Sequence, residues 1–183
     1  MVVDAGGAVY HGLAMAPTEA PVLIRAARDA DGDGVGRLIA RVFADYPNCP
    51  FLLEEFPDLP RLATAFAERG GGFWVAEAEG AIAGSFAVAP THSAGTWELH
   101  KVYLAHALRG RGVARRLYDT ACRFAGERGA QRLVLWTDTR FVEGHRFYEK
   151  LGFVRQPGIR SLHDAAATLE YAYRLDPLTV VAP

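Results

Sequence analysis

Residues 97 to 128 limit the fold more than any other stretch of the chain. Trp97-Glu98-Leu99-His100-Lys101-Val102-Tyr103-Leu104 alternates as a strand does, while Leu117, Ala121, Phe124 and Ala125 recur at helical spacing. Between them lies a short loop with two glycines and several arginines around it. A helix begins with backbone N–H groups that lack partners, and its dipole adds partial positive charge there, so this junction suits an anion. Gly110 and Gly112 allow a close backbone approach, and Arg109, Arg111, Arg115 and Arg116 add full charges. A phosphate ligand is the natural reading. A merely solvated basic face is the weaker one, because glycines, helix start and charges coincide.

Other phosphate loops are excluded by spacing. A P-loop needs Gly, four residues, then Gly-Lys-Ser/Thr, and the chain has no such run. A dinucleotide fingerprint needs a third glycine or alanine three residues past Gly112, where Arg115 stands. What remains is Arg-x-x-Gly-x-Ala, Arg109 to Ala114, followed later by Arg146-Phe147-Tyr148-Glu149-Lys150-Leu151-Gly152-Phe153. In these two motifs, in this order and at this separation, the chain resembles the GNAT superfamily of N-acetyltransferases; with the strands around them the likeness spans roughly residues 73 to 175.

The resemblance implies an α/β (α+β) acyl-CoA N-acyltransferase fold: a mixed, mostly antiparallel sheet with one parallel pair splayed at the cofactor site and helices on both faces. It implies acetyl-CoA as co-substrate, its pantetheine arm in the splay. Backbone groups of Val102, Tyr103 and Leu104 would hold the pantetheine amides as an added strand would, and the loop and helix start, Arg109, Gly110, Arg111, Gly112, Val113, Ala114 and Arg115, would hold the pyrophosphate.

Composition adds bounds. With 183 residues, half of them hydrophobic, and a formal net charge of −1, the chain has the size of one domain with a real core and no general affinity for nucleic acid. Two cysteines, Cys49 and Cys122, argue against a secreted disulfide framework, and a reduced, cytoplasmic setting is the expectation. No apolar run reaches membrane-spanning length. Residues 1–20 read as a flexible extension, 21–177 as a single catalytic domain and 178–183 as a tail.

Taken in order, the sequence predicts a strand near Val22 to Arg25 and a helix through Leu38, Val42 and Phe43 that Pro47 stops. A proline-rich loop at 47–60 and a short helix through Leu62 and Phe66 follow. A hairpin of 73–78 and 82–88 turns at Glu79-Gly80-Ala81, and a third antiparallel strand runs from about Thr96 to Leu104. After the arginine-rich helix, Arg132 to Thr137 reads as a buried strand parallel to the one that ends at Leu104. A helix over about 142–151 and strands from Phe153 and near 167–175 complete the chain.

Acyl transfer to an amine requires a positioned thioester, a base for the ammonium proton and an acid for the departing thiolate. Glu98 is the candidate base, and His100, one pleat along, competes with it. Strict alternation places Glu98, His100 and Val102 on one face and Trp97, Leu99 and Tyr103 on the other. The resemblance assigns Tyr148 as the acid. Where the family often has asparagine this chain has Phe141, so Thr137, Asp138 or Thr139 is expected to contact the donor arm instead. His145 and His163 lack ligand spacing, and no metal is expected.

The reaction implied is direct transfer of acetyl to a primary amine without a covalent enzyme intermediate. The alternative is a non-catalytic acyl-CoA-binding or sensor domain. The acceptor is a small-molecule or peptide amine, with no nucleic acid or membrane involved and a homodimer left open. Loops at 47–60, 89–96 and 156–168 are expected to build its pocket, with Phe51, Phe56, Trp136, Phe141 and His163 shaping it.

Overall fold

The structure is a computed structural model, and it describes residues 21–178. The expected flexible extension at 1–20 and residues 179–183 of the expected tail lie outside the described residues. Leu178, assigned to that tail, belongs to the domain: its N–H donates to Gln131 O at 2.7 Å.

Seven strands form one sheet in the order β1-β2-β3-β4-β5-β7-β6. They are β1 Leu23–Ala26, β2 Gly72–Ala78, β3 Ala81–Pro90, β4 Thr96–Leu104, β5 Arg132–Asp138, β6 Val154–Ser161 and β7 Leu169–Leu175. β2 and β3 meet in a hairpin whose turn residues Glu79 and Gly80 both have positive φ, 52° and 73°, the geometry of a tight two-residue turn matched to strand twist. All neighbours are antiparallel except β4 and β5. Residues 156–161, expected as loop, belong to β6.

Helices α1 Gly32–Phe43 and α2 Leu62–Glu68 cover one face, and α3 Val113–Gly126 and α4 Val142–Lys150 cover the other. Their apolar residues recur every three or four positions and so turn one stripe inward. Leu38 and Ile39 of α1 and Leu117 of α3 are fully buried, each contributing about 2 kcal/mol. In β2 the pleat sends Phe73 and Val75 to the α1/α2 layer, and Trp74 and Ala76 to the α3/α4 layer.

Two irregularities in the central strands make the site. β4 and β5 pair only at Thr96, Trp97 and Glu98, opposite Arg132, Leu133 and Val134. Beyond these, β4 continues to Leu104 and β5 to Asp138 unpaired with each other, so the expected splay is present. The second irregularity corrects the alternation read from sequence. The β3 register jumps from Ser85 opposite Tyr103 to Ala87 opposite His100, so β4 carries one extra residue, a bulge. Lys101 takes up the bend with φ 51°, and the buried Ser85 hydroxyl donates to its carbonyl at 2.7 Å. Phase is thereby reset: Tyr103 packs on the α1/α2 layer and Val102 joins the layer of Trp97 and Leu99.

Candidate active site

The loop before α3 has the backbone conformation that an anion cradle would require. Gly110 and Gly112 both sit at positive φ, 74° and 73°, and Gly112 is the residue before α3. A side chain there would be strained in backbone terms although no protein atom lies within 4 Å of where its Cβ would be. The helix ladder first closes with Arg116 N–H to Gly112 O, so the N–H groups of Val113, Ala114 and Arg115 fall in the unpaired first turn. The arginines are less uniform than their spacing suggests. Arg109 reaches Glu143 of α4 and, at 3.6 Å, Asp45; Arg115 pairs with Asp119 at 2.8 Å; Arg116 donates to Val22 O. Their charge is partly balanced, and the loop is braced against its neighbours.

A cavity of about 460 Å³ leads from this cradle along Arg109, Gly110 and Ala114 to Val102, Leu104 and Phe147. The β4 edge facing it has no strand partner past Glu98. A second cavity, of about 380 Å³, contains Glu98, His100, Arg69 and Arg160 in its wall. Val102, Tyr103, Thr137, Phe141 and Tyr148 line both, so the two meet where β4 and β5 part.

Burial is the leading influence on the proton affinity of Glu98, His100 and Tyr148. Glu98 is raised above the ordinary carboxylate value, first by desolvation, against the pull of Arg160 and Arg69. His100 is pushed down to about 4, again mainly by desolvation, with Arg69 and Lys101 adding to it. It is therefore neutral at pH 7, and its 3.7 Å approach to Glu98 through Nδ1 is no ion pair there. Its Nε2 lies 3.4 Å from Arg69 Nη2; arginine can only donate, so Nε2 accepts and the ring proton sits on Nδ1, toward Glu98. Tyr148, 5% exposed and packed against Phe153 and Tyr173, is held protonated by burial.

The second cavity is rich in charge, most of it internally matched. Lys101 meets Asp58 at 3.1 Å, Arg160 meets Glu170 at 2.6 Å, and Arg140 grips Asp138 through two guanidinium nitrogens. Arg140 also donates to Asn48 O and to Thr168 Oγ1, tying the 47–60 loop to the segment before β7. Glu55 and Asp164 accept the backbone N–H groups of Ala165 and Thr168. Apart from Asp138, none of these residues carried a readable signal in sequence, because the partners in most of these contacts come from segments far apart in the chain.

Some expectations about which residues line this second cavity need correction. Phe56, Trp136 and Phe141 line it, but Phe51 stacks behind Phe56 at 5.1 Å, and His163 is an exposed residue outside it. The 89–96 turn takes no part. Of the three substitutes for the asparagine, Thr137 faces the junction; Asp138 is held by Arg140, and Thr139 N–H binds Leu169 O. Phe141 packs between Tyr46 and Phe43. His145 is buried, with Nε2 2.9 Å from Asp138 O. Among the described residues no cluster of three or more His, Cys, Asp or Glu could hold a metal, and no helix is long and apolar enough to cross a membrane. Cys122 is buried on α3 with its thiol pushed up to about 12 by desolvation, which disfavours an acyl-cysteine route.

Comparison with known proteins places this geometry. The profile of the acetyltransferase (GNAT) family matches residues 31–153. The uncharacterised N-acetyltransferase YjgM of Escherichia coli K12 is 32% identical over 128 residues, 67% of this chain and 76% of its own length. Human N-acetylaspartate synthetase is 33% identical over 84 residues, 46% of this chain and 28% of its own. Among solved structures, a GNAT acetyltransferase of Staphylococcus aureus Mu50 superposes with a TM-score of 0.72 at 17% identity, covering 87% of this chain and all of that one. YncA of Salmonella typhimurium, solved with its cofactor acetyl-CoA, gives 0.65 at 19% identity over 88% of this chain and 96% of its own.

Proposed function

Since the chain belongs to the GNAT family of acetyltransferases, we propose that it transfers acetyl from acetyl-CoA to a primary amine by direct attack, with Glu98 as general base and Tyr148 as general acid. The observation that carries this reading is the shared wall: a cavity running from an anion cradle meets a second, carboxylate-bearing cavity at Tyr148. Acetyl-CoA supplies an activated acyl group as a thioester. The first turn of α3, with Gly110 and Gly112, fits its diphosphate, and the open β4 edge at Val102, Tyr103 and Leu104 fits the amides of its arm. Thr137 is suited to a polar contact on the opposite strand.

In the second cavity Glu98 accepts the ammonium proton, directly or through a water; its raised proton affinity suits a base working near neutrality. His100 does not fill that role, since with a pKa near 4 it is too weakly basic to draw a proton from an ammonium. Its Nδ1–H is turned toward Glu98, 3.7 Å away. Tyr148, protonated throughout the working range, donates toward the thiolate. The acceptor in this reading is a small-molecule or peptide amine, and the setting proposed for it is the cytoplasm.

The test is thiol release from acetyl-CoA with a panel of primary amines, alongside calorimetry with coenzyme A. Binding in the micromolar range and amine-dependent thiol release are expected. No heat with coenzyme A, combined with no release for any amine, would sink the proposal.

A further inference from the structure

Three of the basic side chains on the acceptor wall already carry a carboxylate, as Lys101, Arg140 and Arg160 do with their partners above. Among the described residues, Arg69 does not. Its guanidinium lies 5.1 Å from the centre of the Phe66 ring and is bonded, through one nitrogen, to neutral His100. An arginine held by an aromatic face and an imidazole is fixed in place with its charge unbalanced and most of its N–H fork unused. Glu98 is its counterpart. It lies on the other nitrogen of the same ring, and it too has no cation bound to it among the described residues.

Among the described residues, then, Arg69 is the wall's one cation without a carboxylate in contact, and it faces Glu98 across a single neutral ring, while the wall's other carboxylates without an ion pair, Glu55 and Asp164, are held by backbone N–H groups. We propose that the acceptor is an amino acid or similarly short amino-carboxylate, its carboxylate seated on Arg69 and its amine turned to Glu98. This rests on the acetyl-transfer reading of the same site and narrows its substrate class. A simple amine would balance Glu98 and leave the Arg69 fork facing an occupant that offers it nothing; an amino-carboxylate balances both. The cavity, about 380 Å³, has room for a side chain as well, and Phe56 and Tyr103 give that side chain an apolar wall.

The carboxylate takes no part in bond changes. The ammonium gives one proton to Glu98, the nitrogen attacks the thioester carbonyl, the C–N bond forms as the C–S bond breaks, and the thiolate takes the Tyr148 proton. The amide nitrogen's second proton leaves to solvent, as does that on Glu98, and Tyr148 is reprotonated, so one proton is released per turnover.

Matched pairs test the assignment: leucine against isoamylamine and phenylalanine against phenethylamine, as acceptors with acetyl-CoA and as titrants of the protein loaded with coenzyme A. The amino acid of each pair should win by about 10- to 100-fold in kcat/KM, the scale of one charge-assisted pair. Arg69→Gln should erase most of that preference, raising KM for each amino acid far more than for its matched amine, and Arg69→Lys should restore part of it. Equal rates within pairs, or an Arg69→Gln that slows both members alike, overturns the proposal. Transfer to amines but to no amino acid also overturns it and leaves the acetyl-transfer reading standing. Failure of the wild-type protein to bind coenzyme A overturns both. Should Arg69→Gln lose coenzyme A binding through misfolding, the Arg69→Lys comparison and the wild-type pairs decide.

Discussion

The two cavities that meet at Tyr148, proposed as the donor and acceptor sides of the reaction, are constructed in different ways. The donor side is made from contiguous backbone: a strand edge, two glycines in the left-handed region and one helix turn, all within residues 102–115. The acceptor side is made from side chains that the fold gathers from α2, β4, β5, β6, β7 and two loops, with ion pairs linking them. A backbone cradle suits a ligand that stays constant, because its geometry tolerates few substitutions. A side-chain wall suits a ligand that varies between relatives, because single replacements re-aim it.

Variants on each side should therefore fail in different measurements. Glu98→Gln should lower kcat/KM by about 10²- to 10⁴-fold, the usual contribution of a positioned base, while leaving coenzyme A affinity unchanged. The wild-type rate should rise with pH through a value above the ordinary carboxylate range, and that limb should vanish in the variant. Because burial makes the folded protein hold this proton more tightly than the unfolded chain, the group stabilises fully below its ordinary value. That stability is lost as pH rises through the raised one, so Glu98→Gln should melt no lower than wild type at pH 7.

Arg140→Met should cost about 3 kcal/mol in denaturant unfolding, since it strands the buried Asp138 carboxylate and frees two loops. It should weaken acceptor use before donor binding. Gly112→Val acts on the other side: it should raise the coenzyme A dissociation constant about tenfold, as a β-branched residue at φ 73° is strained by about 1–2 kcal/mol. KM for the amine should move little.

His100→Gln is the smallest. It should slow turnover by less than tenfold, the margin below which a general base is not at work. A loss matching that of Glu98→Gln would reverse the assignment of the two residues. Held neutral when folded, His100 also makes the protein less stable in acid: stability falls as pH drops below the free value of 6.5 toward about 4, and the variant should flatten that slope.

The same contrast explains what could be read from the chain. The strand, glycine loop and helix of the donor side are local, so period, glycine spacing and charge expose them; β4 and the 79–81 turn fall where the pattern puts them. Arg69, Asp58 and Arg160 are invisible for the opposite reason, since nothing within ten residues of any one of them indicates the others. The alternation rule failed at Lys101 because a bulge depends on the neighbouring strand, where Ser85 supplies the hydroxyl that holds it.

That extra residue in β4 works like a half-step in a staircase. Straightening the strand there with Lys101 kept in the ladder would leave every side chain of the chemistry in the protein yet exchange the layers of Val102 and Tyr103, so loss of that bend should do more harm than most replacements. It also means that the strand's own backbone, and not the turns at its ends, sets which residues look toward each substrate. Those turns are left at liberty to change length over generations without moving the centre of the enzyme.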